Sequence, residues 1–539
     1  MGKFQRAMSS QCSLPIEDCI LPWYPPLFPR GPARVKKPRP FRISFVSLGC
    51  AKNLVDSEVL LGRLVQSGGV LCADPDDAEM VVINTCAFID SAIEESFATI
   101  REALERKRAG LVKGVVVAGC LAQRFRERVI AEVPEVDAIV GVYDREQISE
   151  VCRAVLANGR SKKPAEDACC PPTVGASLIR VSPNRAPWGP DTARLRLTPR
   201  HYAFVRISEG CSNPCTFCII PQIRGAFRSK PPERLLEEVR ELVADGAQEL
   251  NLIGQDLTDY GRDLWGERRL GPILRQIGDV AGVRWVRLLY AYPAHFGRDV
   301  EEAIAEHPRI VKYLDMPIQH AADRVLARMR RGHDRKHMTD LFLRLRSRVP
   351  EMVLRTTVIV GFPGETESDV RELIDFMKEV EFDRLGAFVY SPEKGTIAER
   401  FEDQIAPEVK QERWKRVMEA QQKIAFRRAG RMVGRRVEVV VERPAGTKRR
   451  DQQAGFARTT APAPASMEQW HHSQGELAGG TDTAPARLSK RQWEGRTAGD
   501  APDIDSLIYL SGKDLAEGQF RMAEVIGTSG YDLIGKVVD

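Results

Sequence analysis

"YAFVRISEGCSNPCTFC", residues 202–218, runs from an apolar stretch into a loop carrying three cysteines. Its first seven residues have the character of a buried strand. Five further strand candidates follow downstream: "QELNLIG", "RWVRLLY", "VKYLDMPI", "RTTVIVG" and "RLGAFVY". Amphipathic segments such as "PERLLEEVRELVADG" and "ESDVRELIDFMKEV" separate them at helical spacing. Six βα units are too few for a complete eight-stranded barrel, so an open, partial (β/α)6 barrel is expected over 200–432. The cysteine loop leaves the first barrel strand at its C-terminal end, the face on which such folds place their chemistry.

A second βα alternation lies upstream. "FRISFVSLG", "AEMVVINT" and "GVVVAG" read as strands, and "NLVDSEVLLGRLVQSG" and "SAIEESFATIREALERKRAG" as helices. Such alternation predicts a separate α/β domain with a doubly wound parallel sheet over 41–160. Residues 156–200 turn rich in Pro, Ser and basic residues, as a linker would. Past the barrel, a long polar helix leads to "RRVEVVVE" and "RMAEVIGTSGYDLIGKVV", which read as strands of a small β-domain over 433–539. The Ala-, Thr-, Gln- and Gly-rich stretch 445–494 inside it is expected to be a disordered insertion. Residues 1–40, with eight prolines and little periodicity, are expected to be a disordered extension.

Composition excludes several classes. The 539 residues carry a net charge of only +6, which permits an acidic or nucleic-acid partner without arguing for one. No apolar run of about 18 residues exists, so no membrane span is expected. The N-terminus lacks the apolar core of a secretory signal, and the chain is expected in the cytoplasm. Twelve cysteines are too few for a disulfide scaffold of this length. Cys12, Cys19, Cys72, Cys152, Cys169 and Cys170 have no ligand context and read as ordinary thiols.

The other six form two sets. Cys211, Cys215 and Cys218 stand in the pattern C-x3-C-x2-C. A zinc ribbon needs two pairs of ligands, and no second pair follows. Three thiolates fit three irons of a 4Fe–4S cubane, for which full ligation takes four, leaving one iron open to a small molecule. Cys50 follows "FVSLG", Cys86 follows "VVINT" and Cys120 follows "GVVVAG", each just past a predicted strand. In a parallel sheet those strand ends share one edge, so three cysteines about 35 residues apart are expected to meet.

C-x3-C-x2-C with Phe217 before the last cysteine resembles the signature of the radical S-adenosylmethionine (SAM) enzymes. That resemblance implies a cluster on Cys211, Cys215 and Cys218 whose open iron chelates SAM. It also implies cleavage of SAM to a 5′-deoxyadenosyl radical. A second cysteine triad beside it is similar to the methylthiotransferases, over about 41–444 and 495–539. For that family an auxiliary 4Fe–4S cluster on Cys50, Cys86 and Cys120 and a C-terminal TRAM-like β-barrel are implied. "SLGCAKNLVDSE", "NTCAFI", "YAYP", "DMPIQH" and "VGFPGETE" look like the RimO-type branch of that family. Membership there implies methylthiolation of an aspartate in the twelfth small-subunit ribosomal protein, free or in the small subunit. An electron donor such as a flavodoxin-type protein is implied, and transfer RNA is not expected as a partner.

Phe217 is a candidate contact for the adenine of SAM, or a packing residue. Gln319 and Gly361, at the ends of predicted barrel strands, are candidates for the SAM pocket or structural turns. His320 lies near the same face and reads as structural. No catalytic residue beyond the cluster ligands is marked. From Arg496 to Asp539, four Lys+Arg stand against eight Asp+Glu, a net of −4. This acidity reads as a docking surface for a basic ribosomal protein, with Asp503 and Asp505 in it. The rival readings are a transfer-RNA adenosine methylthiotransferase, of the MiaB type, and a non-catalytic iron–sulfur module that binds RNA or a ribosome.

Overall fold

Strands buried on both faces form the centre of the first parallel sheet and the first strands of the second, whose last two strands alternate. A computed structural model describes residues 40–158, 173–174, 177–182, 191–447 and 492–538. The expected extension up to residue 39 and insertion residues 448–491 lie outside the described residues.

In the N-terminal sheet, β1 (Phe41–Ser47), β2 (Gly69–Leu71), β3 (Met80–Thr85), β4 (Gly114–Gly119), β5 (Ala138–Val140), β6 (Thr173–Val174) and β7 (Ser177–Arg180) lie in the order β2-β1-β3-β4-β5-β7-β6. All pairings are parallel except β6 with β7. Every residue of β3 and β4 is buried, as two-faced coverage by helices requires. The stretch expected to be a linker therefore supplies the last two strands of this sheet. At two and four residues they are too short to show a period.

Downstream, β8 (Tyr202–Arg206), β11 (Glu249–Ile253), β12 (Trp285–Leu288), β13 (Ile310–Asp315), β14 (Val353–Val360) and β15 (Arg384–Val389) form one open parallel sheet in sequence order. These are the six predicted strands. A short antiparallel pair, β9 (Ser208–Glu209) with β10 (Arg228–Ser229), brackets the cysteine loop. Ala203, Val205, Leu250, Leu252 and Val286 face the outer helices. Tyr202, Phe204, Trp285 and Tyr313 face inward.

The terminal domain is a closed barrel of β16 (Arg436–Pro444), β17 (Trp493–Thr497), β18 (Ile508–Ser511), β20 (Asp532–Val537) and β19 (Phe520–Ser529), in that order. Its loop between β17 and β18 seals the far end of the large barrel, where Tyr202, Val353 and Arg384 begin their strands. Arg384 Nη2 lies 2.7 Å from Asp500, and Tyr313 Oη donates to Asp505 at 2.7 Å. Arg355 reaches Asp505 at 3.4 Å, and Tyr202 Oη donates to Asp503 at 3.3 Å. Arg496 pairs with Glu249 at 2.6 Å and Glu442 at 2.7 Å.

These contacts correct the expected docking role of Asp505, while Asp503 is half-buried and accepts from Tyr202. The Asp505 side chain is 1% exposed and serves as internal counter-charge to the barrel. A net charge cannot say which way a carboxylate points. Asp505→Lys is thus expected to cost about 3 kcal/mol by setting a cation against Arg355 in a buried site. Thermal unfolding checks this, and a variant as stable as the wild type would contradict the placement. Among the described residues no helix is long and apolar enough to cross a membrane.

Candidate iron–sulfur and SAM site

Each cysteine of the N-terminal set sits where a strand ends. Cys50 precedes the helix Ala51–Gln66 as its N-cap, Cys86 follows β3, and Cys120 opens the short helix Cys120–Arg124 directly after β4. Two glycines let these turns close on one another. Gly49 has φ +93°, and a Cβ there would lie 2.9 Å from Cys86 Cβ and 3.1 Å from its Sγ. Gly119 has φ +94°, and a Cβ would meet Asn84 Oδ1 at 2.2 Å. Both positions need glycine for conformation and for space.

Asn53 ties the three turns together. Its Nδ2 donates to Leu48 O at 2.5 Å and Thr85 O at 3.3 Å, and its Oδ1 stands 4.0 Å from Cys120 Sγ. Ser96 pins Cys86 by accepting from its N–H at 3.2 Å and donating to its carbonyl at 2.9 Å. Burial pushes the Cys86 thiol well up, and its neighbours Cys120 and Cys50 push it further. Burial likewise raises Cys120 to about 11 against the pull of Arg224. The structure thus brings these three residues together.

In the second set, the Cys211 N–H donates to Gly225 O at 3.1 Å and that of Cys218 to Cys215 O at 3.2 Å. Thr216 fastens the loop to the barrel by donating to Met329 O and Arg328 O. Burial raises Cys211 to about 11 and Cys218 to about 12, with Cys215 adding to both. Among the described residues no group of three or more His, Cys, Asp or Glu is arranged to hold a single metal ion. A cubane asks for something different, because each thiolate takes its own iron. Such a cluster's positive irons would reverse the thiol pKa shifts, since a coordinating thiol is deprotonated outright.

Two arginines stand against cysteine sulfurs, one in each set, and neither was marked by the sequence pattern. Arg224, on the helix Ile220–Arg224 that follows the second set, donates to Cys120 Sγ of the first at 3.2 Å. It is held there by Asp56 at 2.9 Å and Glu209 at 3.2 Å. Arg331 donates to Cys215 Sγ at 3.4 Å while stacking on Tyr292. A buried thiolate needs such a cation. The two triads are therefore neighbours across one domain boundary.

Of the expected SAM-pocket residues, Phe217 packs, partly buried, against the cluster of Ala322, Val325, Met329, Phe362 and Tyr390. Gln319 has φ +73° and bridges to β14 through its backbone, donating to Thr357 O at 2.9 Å and accepting from Ile359 N at 2.7 Å. The Gly361 N–H donates to Glu365 at 3.0 Å. His320 is buried, accepts from Ala322 N at 3.0 Å and faces Glu365 at 3.4 Å, so it orders this turn. Cys152 is buried in the N-terminal core, whereas Cys12, Cys19, Cys169 and Cys170 lie outside the described residues.

The chain matches three family models in the same order: uncharacterized protein family UPF0004 over 42–141, the Radical SAM superfamily over 205–377, and the TRAM domain over 487–538. It is 38% identical to the ribosomal protein uS12 methylthiotransferase RimO of Geobacter sulfurreducens, covering 92% of this chain and 98% of that one. With the protein of the same name from Anaeromyxobacter sp. it shares 40% identity, covering 92% and 93%. The chain belongs to the RimO methylthiotransferase family. It is a SAM-dependent, sulfur-transferring transferase of the radical SAM class.

Among solved structures, the radical SAM methyltransferase TsrM from Kitasatospora setae aligns with a TM-score of 0.47 at 15% identity, covering 65% of this chain and 75% of that one. In this RimO-family chain, the UPF0004 match holds Cys50, Cys86 and Cys120, and the radical SAM match holds Cys211, Cys215, Cys218 and Arg224.

Proposed function

We propose that this enzyme adds a methylthio group to the β carbon of an aspartate in uS12, the twelfth small-subunit ribosomal protein. Cys211, Cys215 and Cys218 hold the SAM-cleaving 4Fe–4S cluster in this reading, and Cys50, Cys86 and Cys120 hold the auxiliary one. The observation that carries it is Arg224, on the helix just after the second cysteine set, which donates to Cys120 Sγ of the first at 3.2 Å. Bound at these thiolates, two clusters and SAM supply one-electron cleavage of SAM and transferable sulfur.

The protein's share is placement and exclusion of water. The TRAM-side loop seals the far end of the barrel, so substrate enters from the cysteine face. Arg224 and Arg331 offset the charge of the sulfur ligands. Phe217, Gln319 and Gly361 line the SAM side of this face. The names of the relatives and the RimO-type motifs support uS12 over transfer RNA. A flavodoxin-type donor supplies the electron, and the setting is cytoplasmic, with no membrane partner.

Mass spectrometry of uS12 from cells with and without this gene tests the reading. A methylthio group is expected on one aspartate only when the gene is present. Its absence from uS12, or its appearance on transfer RNA instead, overturns the substrate.

A further inference from the structure

Lys52 lies two residues past Cys50, in the first turn of the helix Ala51–Gln66, and is 8% exposed. Its ammonium rests on the ring of Tyr290, 2.9 Å from the centroid. Tyr290 is itself held in an unusual conformation, with φ +68°. Its N–H donates to Asp315 at 3.1 Å, and its carbonyl accepts from Leu257 N at 3.1 Å. A non-glycine residue in this region stores strain of about 1–3 kcal/mol and persists only where its surroundings dictate it. Here they aim an aromatic face at the ammonium.

The neighbouring buried cations are already matched. Arg355 holds Asp315 at 2.8 Å, Arg206 holds Asp56 and Asp191, and Arg224 holds Asp56 and Glu209. Among the described residues Lys52 has no carboxylate at ion-pair distance. A ring face returns about 0.5–2 kcal/mol to a cation, whereas burying one costs several kcal/mol. Its anionic neighbours Cys50, Asp315 and Glu209 act on it only from beyond ion-pair distance, so the ammonium has no carboxylate in direct contact.

We propose that Lys52 receives the carboxylate of the substrate aspartate and selects an acidic side chain over its amide. This rests on the reaction assigned above. The β carbon that gains sulfur must approach the Cys50 triad, and in aspartate the carboxylate is bonded directly to that carbon. The cation that serves it must therefore stand beside Cys50. Lys52 does.

The test compares binding of fluorescently labelled uS12 with that of uS12 whose target aspartate is changed to asparagine, using anaerobically reconstituted holoenzyme. Wild type should prefer the aspartate form by about tenfold, or 1.4 kcal/mol. Lys52→Met should bind both forms alike, at the weaker level, and Lys52→Arg should keep most of the preference. Iron content and melting temperature of each variant separate misfolding from lost recognition. A Lys52 that merely balances cluster charge would leave the aspartate-to-asparagine ratio intact in Lys52→Met, and that result overturns the proposal. Equal binding of both forms by a wild type that still methylthiolates uS12 overturns it too, with the assigned reaction standing. A wild type that neither binds nor modifies uS12 removes both.

Discussion

Changing Cys50, Cys86 and Cys120 together to Ala should leave an enzyme that cleaves SAM and transfers no sulfur. The mirror variant, with Ala at Cys211, Cys215 and Cys218, should cleave no SAM at all. Each should retain about four irons, against about eight in reconstituted wild type. The division follows from the architecture. One triad rides on the loop between β9 and β10 of the barrel, and the other on three strand ends of a separate sheet. Iron analysis, deoxyadenosine release and product mass read the three quantities separately. Methylthiolated product at the normal rate from the first variant would deny the N-terminal triad its part in sulfur transfer. One zinc per chain and no iron–sulfur absorbance would remove both clusters.

Arg206→Ala should produce the largest loss of stability. Arg206 is 0% exposed and meets three carboxylates: Asp56 at 2.6 Å, Glu209 at 2.8 Å and Asp191 at 2.9 Å. Lys230 shares Asp191 at 2.9 Å, and Arg145 shares Asp56 at 3.2 Å. Removing one partner of a buried pair costs about 3–5 kcal/mol, and with three carboxylates affected the upper figure of about 5 is expected.

The loss should depend on pH. Burial works to raise the carboxyls of Asp56, Asp191 and Glu209. The surrounding cations outweigh it and hold all three below their usual range, Arg206 foremost for the two aspartates and Arg224 for the glutamate. A depressed folded-state pKa gives stability that is complete above the unfolded values, about 3.9 for Asp and 4.3 for Glu. That stability is lost as pH falls through the folded values. The gap between wild type and Arg206→Ala should accordingly be full at pH 7 and narrow below about pH 4. Denaturant titrations across that range check it, and a gap that widened in acid would contradict the sign.

Periodic features were legible in the sequence. The six barrel strands were read in order because each is an apolar run between amphipathic helices. The cysteines at 50, 86 and 120 were grouped because strand ends of one parallel sheet share an edge. What escaped was the pairing of charges between distant positions. Arg206 meets Asp56 across 150 residues, and Arg224 meets Cys120 across 104. Nothing local distinguishes such an arginine from a solvated one. Lys52 is hidden for the same reason, since its partner is a tyrosine ring over two hundred residues away. Asp505 was misplaced because composition reports how many acids a segment has and not which face they take.

The contact between Arg224 and Cys120 also sets a schedule. A ribosome lays down the three N-terminal cysteines first and reaches Arg224 104 residues after Cys120. At roughly 5–20 residues per second that interval is about 5–20 s. During it the nascent sheet can fold with its cysteine edge uncovered, and the guanidinium that sits against one of its sulfurs has yet to be made. Any iron delivered in that window meets a half-built cradle, and any delivered later meets a finished one.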